Sequence, residues 1–274
     1  MNIKQNPFSV YDFLGYFTPG AIFLYSLLFG YAHMSKSANP QEYITNTLGF
    51  DKAEIYIPFV LASYTLGHLL SFLSSISVER FSILAHGYPS KYLLKMETDG
   101  YFESKGSLFI KLVLLIAILP ISVFEYFIGY AFNLRAMYTK PLDRVLRVLI
   151  SKKINKLVTM HGDIKKPGDF GKPEKTDFFR YAYHYAVEHA PNHLPKMQNY
   201  VALYGFLRTL SFISVLIFWV IVWHTFSGSF GSLEASGWLL ASSILSYILF
   251  MAFMKFYRRF SLEALMALSV SYEG

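Results

Sequence analysis

The feature that most constrains the fold is the collection of apolar residues into a few long stretches of low charge. Four of them cover residues 13–32, 55–78, 206–226 and 237–254. Each is close to the ~20 residues that a helix needs to cross a hydrocarbon core of about 30 Å. Only helices and closed barrels satisfy their own backbone groups in lipid, and the period-2 alternation of a barrel is absent. The sequence therefore predicts an all-α, polytopic integral membrane bundle.

A fifth apolar stretch, KLVLLIAILPISVFEYFIGY at residues 111–130, leaves the number of spans open at four or five. As one helix, residues 108–134 would run about 40 Å, which is enough for a crossing. The charge-free part between Lys111 and Glu125 is only 13 residues long and contains Pro120, which is more typical of a re-entrant segment. The sequence favours four full spans, with residues 108–134 forming a re-entrant segment. The alternative is that residues 108–134 cross the membrane as the third span of five.

Lysine and arginine are concentrated in one segment. Residues 135–205 contain 13 of the 25 Lys and Arg, whereas the loop SGSFGSLEAS contains none. Because basic loops resist translocation, residues 135–205 and the carboxyl terminus are predicted to be cytoplasmic. If 108–134 crosses, the inside-to-outside count of Lys and Arg is 18 to 5 with the amino terminus outside; if it does not, the count is 21 to 2 with both ends inside.

These assignments divide the chain into four parts. They are a membrane region at 1–134 with spans at about 13–32 and 55–78, a basic helical cytoplasmic subdomain at 135–205, a transmembrane hairpin at 206–254 and a cytoplasmic tail at 255–274. After the second span, GYPSKYLL is predicted to form a turn and a short surface helix. Further helices are expected over about 176–190 and from about Lys196, the latter continuing into the span at Phe206.

The first helix of the subdomain, over about 142–160, is amphipathic and basic. Its apolar face is formed by Leu142, Leu146, Leu149, Ile150, Ile154, Leu157 and Val158, and its basic side chains are Arg144, Arg147, Lys152, Lys153 and Lys156. Helices of this kind commonly rest on anionic membrane surfaces. The five basic residues are therefore predicted to bind the membrane surface or a partner.

Three ionisable residues, His68, Glu125 and Arg208, lie within or at the edge of the apolar stretches. Such groups usually face protein, water or each other. The functional interpretation is a polar pathway. The structural alternatives are a hydrogen-bonded core histidine, a paired glutamate and an arginine that extends to the headgroups.

Small residues recur at every fourth position of the second span, namely Ser63, Gly67, Ser71 and Ser75. A ridge of small side chains lets helix backbones approach closely in lipid. These positions are predicted to pack against another helix, either in the same chain or in another subunit.

No motif of a known enzyme class is present in the sequence. The stretch HYAVEHAPNH contains His184, Glu188, His189 and His193, but its spacing matches no metalloprotease motif. We therefore expect no catalytic site, no metal and no cofactor. Basic residues and aromatics beside a membrane are typical of cytoplasmic loops and interfacial belts, so nucleic acid is not the expected partner.

Three stretches carry a resemblance to a group of proteins. NPF…DFLGYFTPG, GYPSKYLL and PLDRVLRVLISKKI resemble uncharacterised small polytopic membrane proteins associated with bacterial antiviral defence loci. The resemblance implies a bacterial inner-membrane location and a role as an envelope-perturbing effector or as an anchor for a cytoplasmic partner.

The combined expectation is a non-enzymatic, homo-oligomeric, pore-like effector that responds to a cytoplasmic protein or an anionic ligand. A plain membrane anchor is one alternative. A membrane-embedded enzyme acting on lipid or peptide through His184, Glu188 and His189 is the other.

Overall fold

The computed structural model describes residues 12–34, 39–47, 56–96, 100–104, 106–161, 178–228 and 232–272, and every regular element within them is helical. The α-helices are α1 (Thr18–Met34), α2 (Tyr56–Ser74), α3 (Arg80–His86), α4 (Pro89–Leu93), α5 (Leu108–Ala117), α6 (Leu119–Phe124), α7 (Arg144–His161), α8 (Phe178–His189), α9 (Leu194–Phe226) and α10 (Ser232–Ser271). Single turns are formed by Phe13–Phe17, Pro40–Glu42, Tyr43–Thr47, Ser75–Glu79, Glu125–Gly129, Leu134–Met137 and Pro191–His193.

Within the described residues, four helical segments are long and apolar enough to cross a membrane. They are Phe13–Ala32, Tyr56–Leu93, Pro191–Phe226 and Leu233–Ser271. The prediction of an all-α, polytopic membrane bundle is confirmed, and the chain is a multi-pass membrane protein.

Two helices extend far beyond the thickness of a bilayer core. At 1.5 Å per residue, the 33 residues of α9 and the 40 residues of α10 correspond to about 50 and 60 Å. They pack against each other more extensively than any other pair of helices described. The helix predicted from about Lys196 does run unbroken through the span. The predicted boundaries at 205 and 254 therefore fall inside continuous helices.

Helices α1 and α2 approach each other through glycine. A Cβ atom on Gly20 would overlap the carbonyl oxygen of Ser63, and one on Gly67 would overlap that of Tyr16. Ser63 and Gly67 thus pack against the first helix of the same chain. An i, i+4 series turns by about 40° at each step of a helix with 3.6 residues per turn, so Ser75 lies about 120° from Ser63, and the buried line continues instead through Leu70 and Ser74.

The stretch at 108–134 is broken rather than straight. Helix α5 ends at Ala117 and is followed by Ile118 (φ −109°, ψ 33°), and its axis differs by 94° from that of Leu119–Gly129. Pro120 follows the break and has no N–H for a helical bond. The N–H of Ile121 bonds to the carbonyl of Ile118, and the carbonyl of Ala117 accepts instead from the indole of Trp219 at 2.9 Å. Each limb is about 15 Å long, half of a hydrocarbon core. The pair forms a broken span or a re-entrant loop, and a straight third span is not formed.

A second hydrophobic core lies outside the bundle core. It is made by α4, α7, α8 and the end of α10, and its most buried members are Leu93, Ile150, Ile154, Leu157, Ala182, Ala186, Leu265, Ala267 and Leu268. Two expectations are corrected here. The short helix in GYPSKYLL is buried rather than on the surface, since Leu93 is fully enclosed. The residues predicted as a tail continue α10 as far as Ser271 and pack in this core.

The apolar face of α7 is used within the protein. Ile150, Ile154 and Leu157 are completely buried, and Leu142 is 8% exposed. Those side chains pack in the second core, so they cannot rest on a membrane as the sequence suggested. Leu149, assigned to the same face, is instead 44% exposed.

The glycine contact between α1 and α2 gives a direct test. Replacing Gly20 with alanine should lower stability by about 1–3 kcal/mol or more, because the added methyl group forces two backbones apart. Gly30→Ala is the matched control on the same helix, since its Cβ would meet nothing within 4 Å. Thermal unfolding of the purified variants in detergent measures both, and equal midpoints would contradict the close approach.

Candidate functional site: buried polar clusters of the bundle

Glu125 is the centre of the most elaborate polar cluster described. Its side chain is 2% exposed. Its Oε1 atom accepts a hydrogen bond from Arg135 Nε at 2.7 Å and lies 3.1 Å from His86 Nε2. Its Oε2 atom accepts from the hydroxyls of Tyr138 at 2.6 Å and Tyr247 at 3.1 Å. Both oxygens of the carboxylate are therefore occupied by side chains of the same chain.

Local backbone structure brings these groups together. Glu125 begins the π-helical turn Glu125–Gly129, and a Cβ on Gly129 would lie 2.9 Å from Glu125 Oε2 and 2.7 Å from the Tyr247 hydroxyl. Asn133 adopts a left-handed conformation (φ 52°) that a short polar side chain tolerates. The chain reverses there and carries Arg135 back, so that its guanidinium also reaches the carbonyl oxygen of Glu125 at 3.3 Å.

Tyr138 serves as a neutral donor to the carboxylate. Burial raises the pKa of its phenol well above the usual range, and the adjacent negative charge of Glu125 raises it further. The phenol thus keeps its proton and donates a hydrogen bond to the carboxylate of Glu125. The cluster holds a buried negative charge by donated hydrogen bonds and one arginine, the arrangement that a charge in a low-dielectric interior requires.

Arg208 belongs to a second cluster between α9 and α2. Its guanidinium pairs with Glu79 and donates to Ser74 Oγ at 3.1 Å and to the carbonyl and hydroxyl oxygens of Ser71 at 3.2 Å each. The arginine side chain is 11% exposed and that of Glu79 is 19% exposed. This mostly buried ion pair connects α9 to the turn Ser75–Glu79, which directly follows α2. Ser71 and Ser74 therefore act as hydrogen-bond acceptors as well as small packing residues.

His68 is placed differently from the other two ionisable residues. Its side chain is exposed and stacks on the ring of Tyr16 with centroids 3.9 Å apart, and it meets Tyr64 edge-on at 4.6 Å. His68 follows the buried Gly67 by one residue, so it points about 100° away from the helix contact. His68, Glu125 and Arg208 thus have three separate sets of partners, and the structure does not join them into one group.

A third cluster forms where α9 begins. Glu263 on α10 lies 2.8 Å from His193 Nδ1 and 2.7 Å from Lys196 Nζ. His193 is the last of the histidines in HYAVEHAPNH. His184 and Glu188 of the same stretch are exposed on α8, and no group of three His, Cys, Asp or Glu side chains within the described ranges is placed to hold a metal ion.

The five basic residues of α7 do not share one surface. Arg144, Lys152 and Lys156 are exposed, whereas Arg147 is half-buried. Lys153 donates to the carbonyl oxygen of Tyr272 and lies 5.7 Å from the centre of its ring. Lys153 therefore binds the end of α10. The three exposed residues, Arg144, Lys152 and Lys156, are the ones that can contact an external surface.

Sequence reasoning identified Glu125 and Arg208 but not their partners. His86, Tyr247 and the neighbouring pair Arg135 and Tyr138 lie in three different segments, and nothing in their spacing relates them to residue 125. The pairing of Glu79 with Arg208 could have been predicted, since a carboxylate that directly follows one apolar stretch is a natural partner for an arginine in another.

Comparison with known proteins assigns the chain to no group, because no family model, no curated protein and no solved structure matches it.

Removal of the central carboxylate should be strongly destabilising. Glu125→Ala leaves the two buried hydroxyls of Tyr138 and Tyr247 without their acceptor and the partly exposed Arg135 without its counter-charge. At about 1–3 kcal/mol for each unsatisfied buried group, we expect a loss of about 3–5 kcal/mol. Tyr138→Phe removes one donor and should cost about 1–3 kcal/mol. Denaturation in detergent measures both. Glu188→Gln, at an exposed carboxylate on α8, is the control and should stay within about 0.5 kcal/mol of the wild type.

The ion pair between α9 and α2 gives a non-additive prediction. Arg208→Met should destabilise by about 3–5 kcal/mol because Glu79 loses its counter-charge, whereas Glu79→Met combined with Arg208→Met should restore most of that loss. A double-mutant cycle from thermal or denaturant unfolding measures the coupling. A double variant as unstable as the sum of the two single variants would contradict a direct pair.

Proposed function

We propose that the chain is a non-enzymatic integral membrane protein whose bundle responds to a cytoplasmic protein or an anionic ligand at the basic subdomain. The observation that carries this proposal is the continuity of α10, which supplies Phe250 and Phe253 to the bundle core and Leu265 and Leu268 to the second core. A movement of the second core therefore acts on a helix that also belongs to the bundle.

A column of aromatic rings follows the same helix. Tyr247, Phe250, Phe253 and Tyr257 succeed one another with ring centroids 5.7 to 6.3 Å apart. Tyr204 of α9 meets both Tyr257 at 4.9 Å and Phe260 at 5.8 Å. Phe260 in turn meets Phe179 and Tyr183 of α8 at 6.0 and 5.6 Å. Packed aromatic side chains are poorly compressible, so a displacement of α8 has a route of direct contacts towards Tyr247.

The Glu125 cluster lies at the bundle end of this column. Tyr247 donates to Glu125, which also accepts a hydrogen bond from Arg135 at the start of the subdomain. A buried charge held by four side chains from three segments has few satisfactory arrangements. The Glu125 cluster is therefore suited to respond to a shift of α10 by changing from one set of hydrogen bonds to another.

The role in antiviral defence and the oligomeric, pore-forming version are parts of the same proposal. The first rests on the three resembling stretches. The second requires a polar path between copies, because within one chain Glu125 is 2% exposed and Arg208 is 11% exposed, and both are paired.

A plain membrane anchor is the second candidate, and one observation favours it. Glu125 and Arg208 find their charge partners within the chain itself, so the bundle is complete without any change of state. In this case the subdomain would bind the partner and the buried clusters would contribute stability only.

Hydrogen exchange distinguishes a responsive bundle from an anchor. In lipid nanodiscs, Tyr138→Phe should accelerate exchange of the amides of α8 by about fivefold or more, if the clusters and the subdomain are coupled by 1 kcal/mol or more. Glu234→Gln, at an exposed carboxylate at the opposite end of α10, should leave α8 unchanged. Acceleration confined to the neighbourhood of Glu125 would favour the anchor.

The pore version has its own test. It requires a defined oligomer by light scattering in detergent and a fall of membrane potential in cells that overproduce the protein. Glu125→Gln should reduce the depolarisation when it is compared at equal amounts of membrane-inserted protein. A monomer that leaves the potential unchanged would exclude the pore and leave the other forms of the proposal standing.

A further inference from the structure

One side of α7 is exposed although its opposite side is fully buried. The exposed side, here called the outer face of α7, contains Val145, Val148 and Leu149, with 76%, 47% and 44% of each side chain accessible. The exposed basic residues are Arg144, Lys152 and Lys156. With about 100° per residue, positions 145, 148, 149, 152 and 156 fall within about 100° of arc, so apolar and basic side chains share one surface.

The start of α7 lies at the end of the apolar part of α10. The guanidinium of Arg258 donates to the carbonyl of Lys140 at 2.9 and 3.0 Å. Arg258 belongs to the group Lys255, Arg258 and Arg259, which follows some twenty residues of α10 in which Glu234 is the one charged side chain. Basic residues in that position mark the boundary between hydrocarbon and headgroups. The first turns of α7 are thus placed close to this boundary.

The segment that leads into α7 carries the side chains of an interface. Tyr130, Phe132 and Met137 are 76%, 73% and 69% exposed, and they directly follow the apolar limb Leu119–Gly129. Exposed aromatic residues next to a membrane segment are typical of the headgroup level. The outer face of α7 continues this exposed apolar surface towards the subdomain.

The positive charge of α7 indicates that the outer face of α7 binds an anionic surface. Arg144–His161 contains five Lys or Arg and no Asp or Glu. We propose that the outer face of α7 lies on the anionic headgroups of the bilayer, with Val145, Val148 and Leu149 inserted at the acyl boundary and Lys152 and Lys156 against the phosphates. An acidic protein would satisfy the lysines, but it would not account for the continuity with the membrane-facing aromatics.

This placement depends only on the chain being a membrane protein and not on a response of the bundle. It holds the subdomain against the bilayer, so that a cytoplasmic partner would approach from the side of α8. It also gives α7 a contact with lipid through the face opposite to the one that its hydrophobic pattern indicated.

The test uses the absence of cysteine from the chain. Val148→Cys and, separately, Leu149→Cys introduce a single thiol for a fluorescent label at exposed positions. The labelled full-length protein is placed in nanodiscs of phosphatidylcholine alone or mixed equally with phosphatidylglycerol. Quenching by lipid-borne nitroxide and by aqueous iodide is then compared. Tyr126→Cys, in the apolar limb and 71% exposed, is the lipid reference, and Glu188→Cys, at an exposed carboxylate on α8, is the water reference.

We expect the labels at 148 and 149 to be quenched from the lipid in the anionic discs and to move towards the water reference in phosphatidylcholine. Lys152→Gln and Lys156→Gln should each lower, by about fivefold, the ratio of molecules whose outer face of α7 is bound to lipid to those in which it is free. Each basic residue near an anionic surface contributes about 1 kcal/mol to binding, which corresponds to that factor. Thermal midpoints equal to the parent's confirm that these surface variants are folded.

Three results would overturn the proposal. Labels as open to iodide as the Glu188 reference in both lipids would show that the face is in water. Equal lipid quenching in both kinds of disc would exclude recognition of anionic headgroups. Protection that appears only when polyglutamate is added would assign the face to an acidic protein instead.

Discussion

The packing of α10 along α9 is the constraint on which the rest of the structure depends. The broken limb at Leu119–Gly129, the short helix α4 and the subdomain helices α7 and α8 all contact this one 40-residue helix. A helix about twice as long as a bilayer core is thick must leave the membrane. The same element therefore organises a bundle at one end and a second hydrophobic core at the other.

The buried charges follow from this arrangement. A helix interface in lipid gains little from hydrophobic burial, because lipid tails are as apolar as the side chains. Specific approach must come from small residues and polar contacts, and the structure uses both. Gly20 and Gly67 bring α1 and α2 into backbone contact, Arg208 and Glu79 join α9 to α2, and Glu125 joins the broken limb to α10 through Tyr247.

The candidate site was only half predictable, for a physical reason. A charged residue in an apolar stretch is visible in the sequence because its burial is costly without partners, which is why Glu125 and Arg208 were identified. Most of their partners follow from no spacing in the sequence, and only tertiary contacts select His86 and Tyr138 among the histidines and tyrosines of the chain. The i, i+4 spacing of small residues was a true signal at Ser63 and Gly67, but the helical drift turned Ser75 away from that line.

The sequence by itself determined the all-helical class, the multi-pass architecture and the continuous helix that runs from about Lys196 into the span at Phe206. A chain segment in hydrocarbon must satisfy its own backbone hydrogen bonds, so a sufficiently long apolar stretch is enough to predict a membrane-spanning helix. The tertiary structure decided which face of α7 is free, that the predicted tail is a core element, and that 108–134 bends by 94°. Periodicity shows that a face is apolar, but whether protein or lipid covers it depends on which other helices reach it.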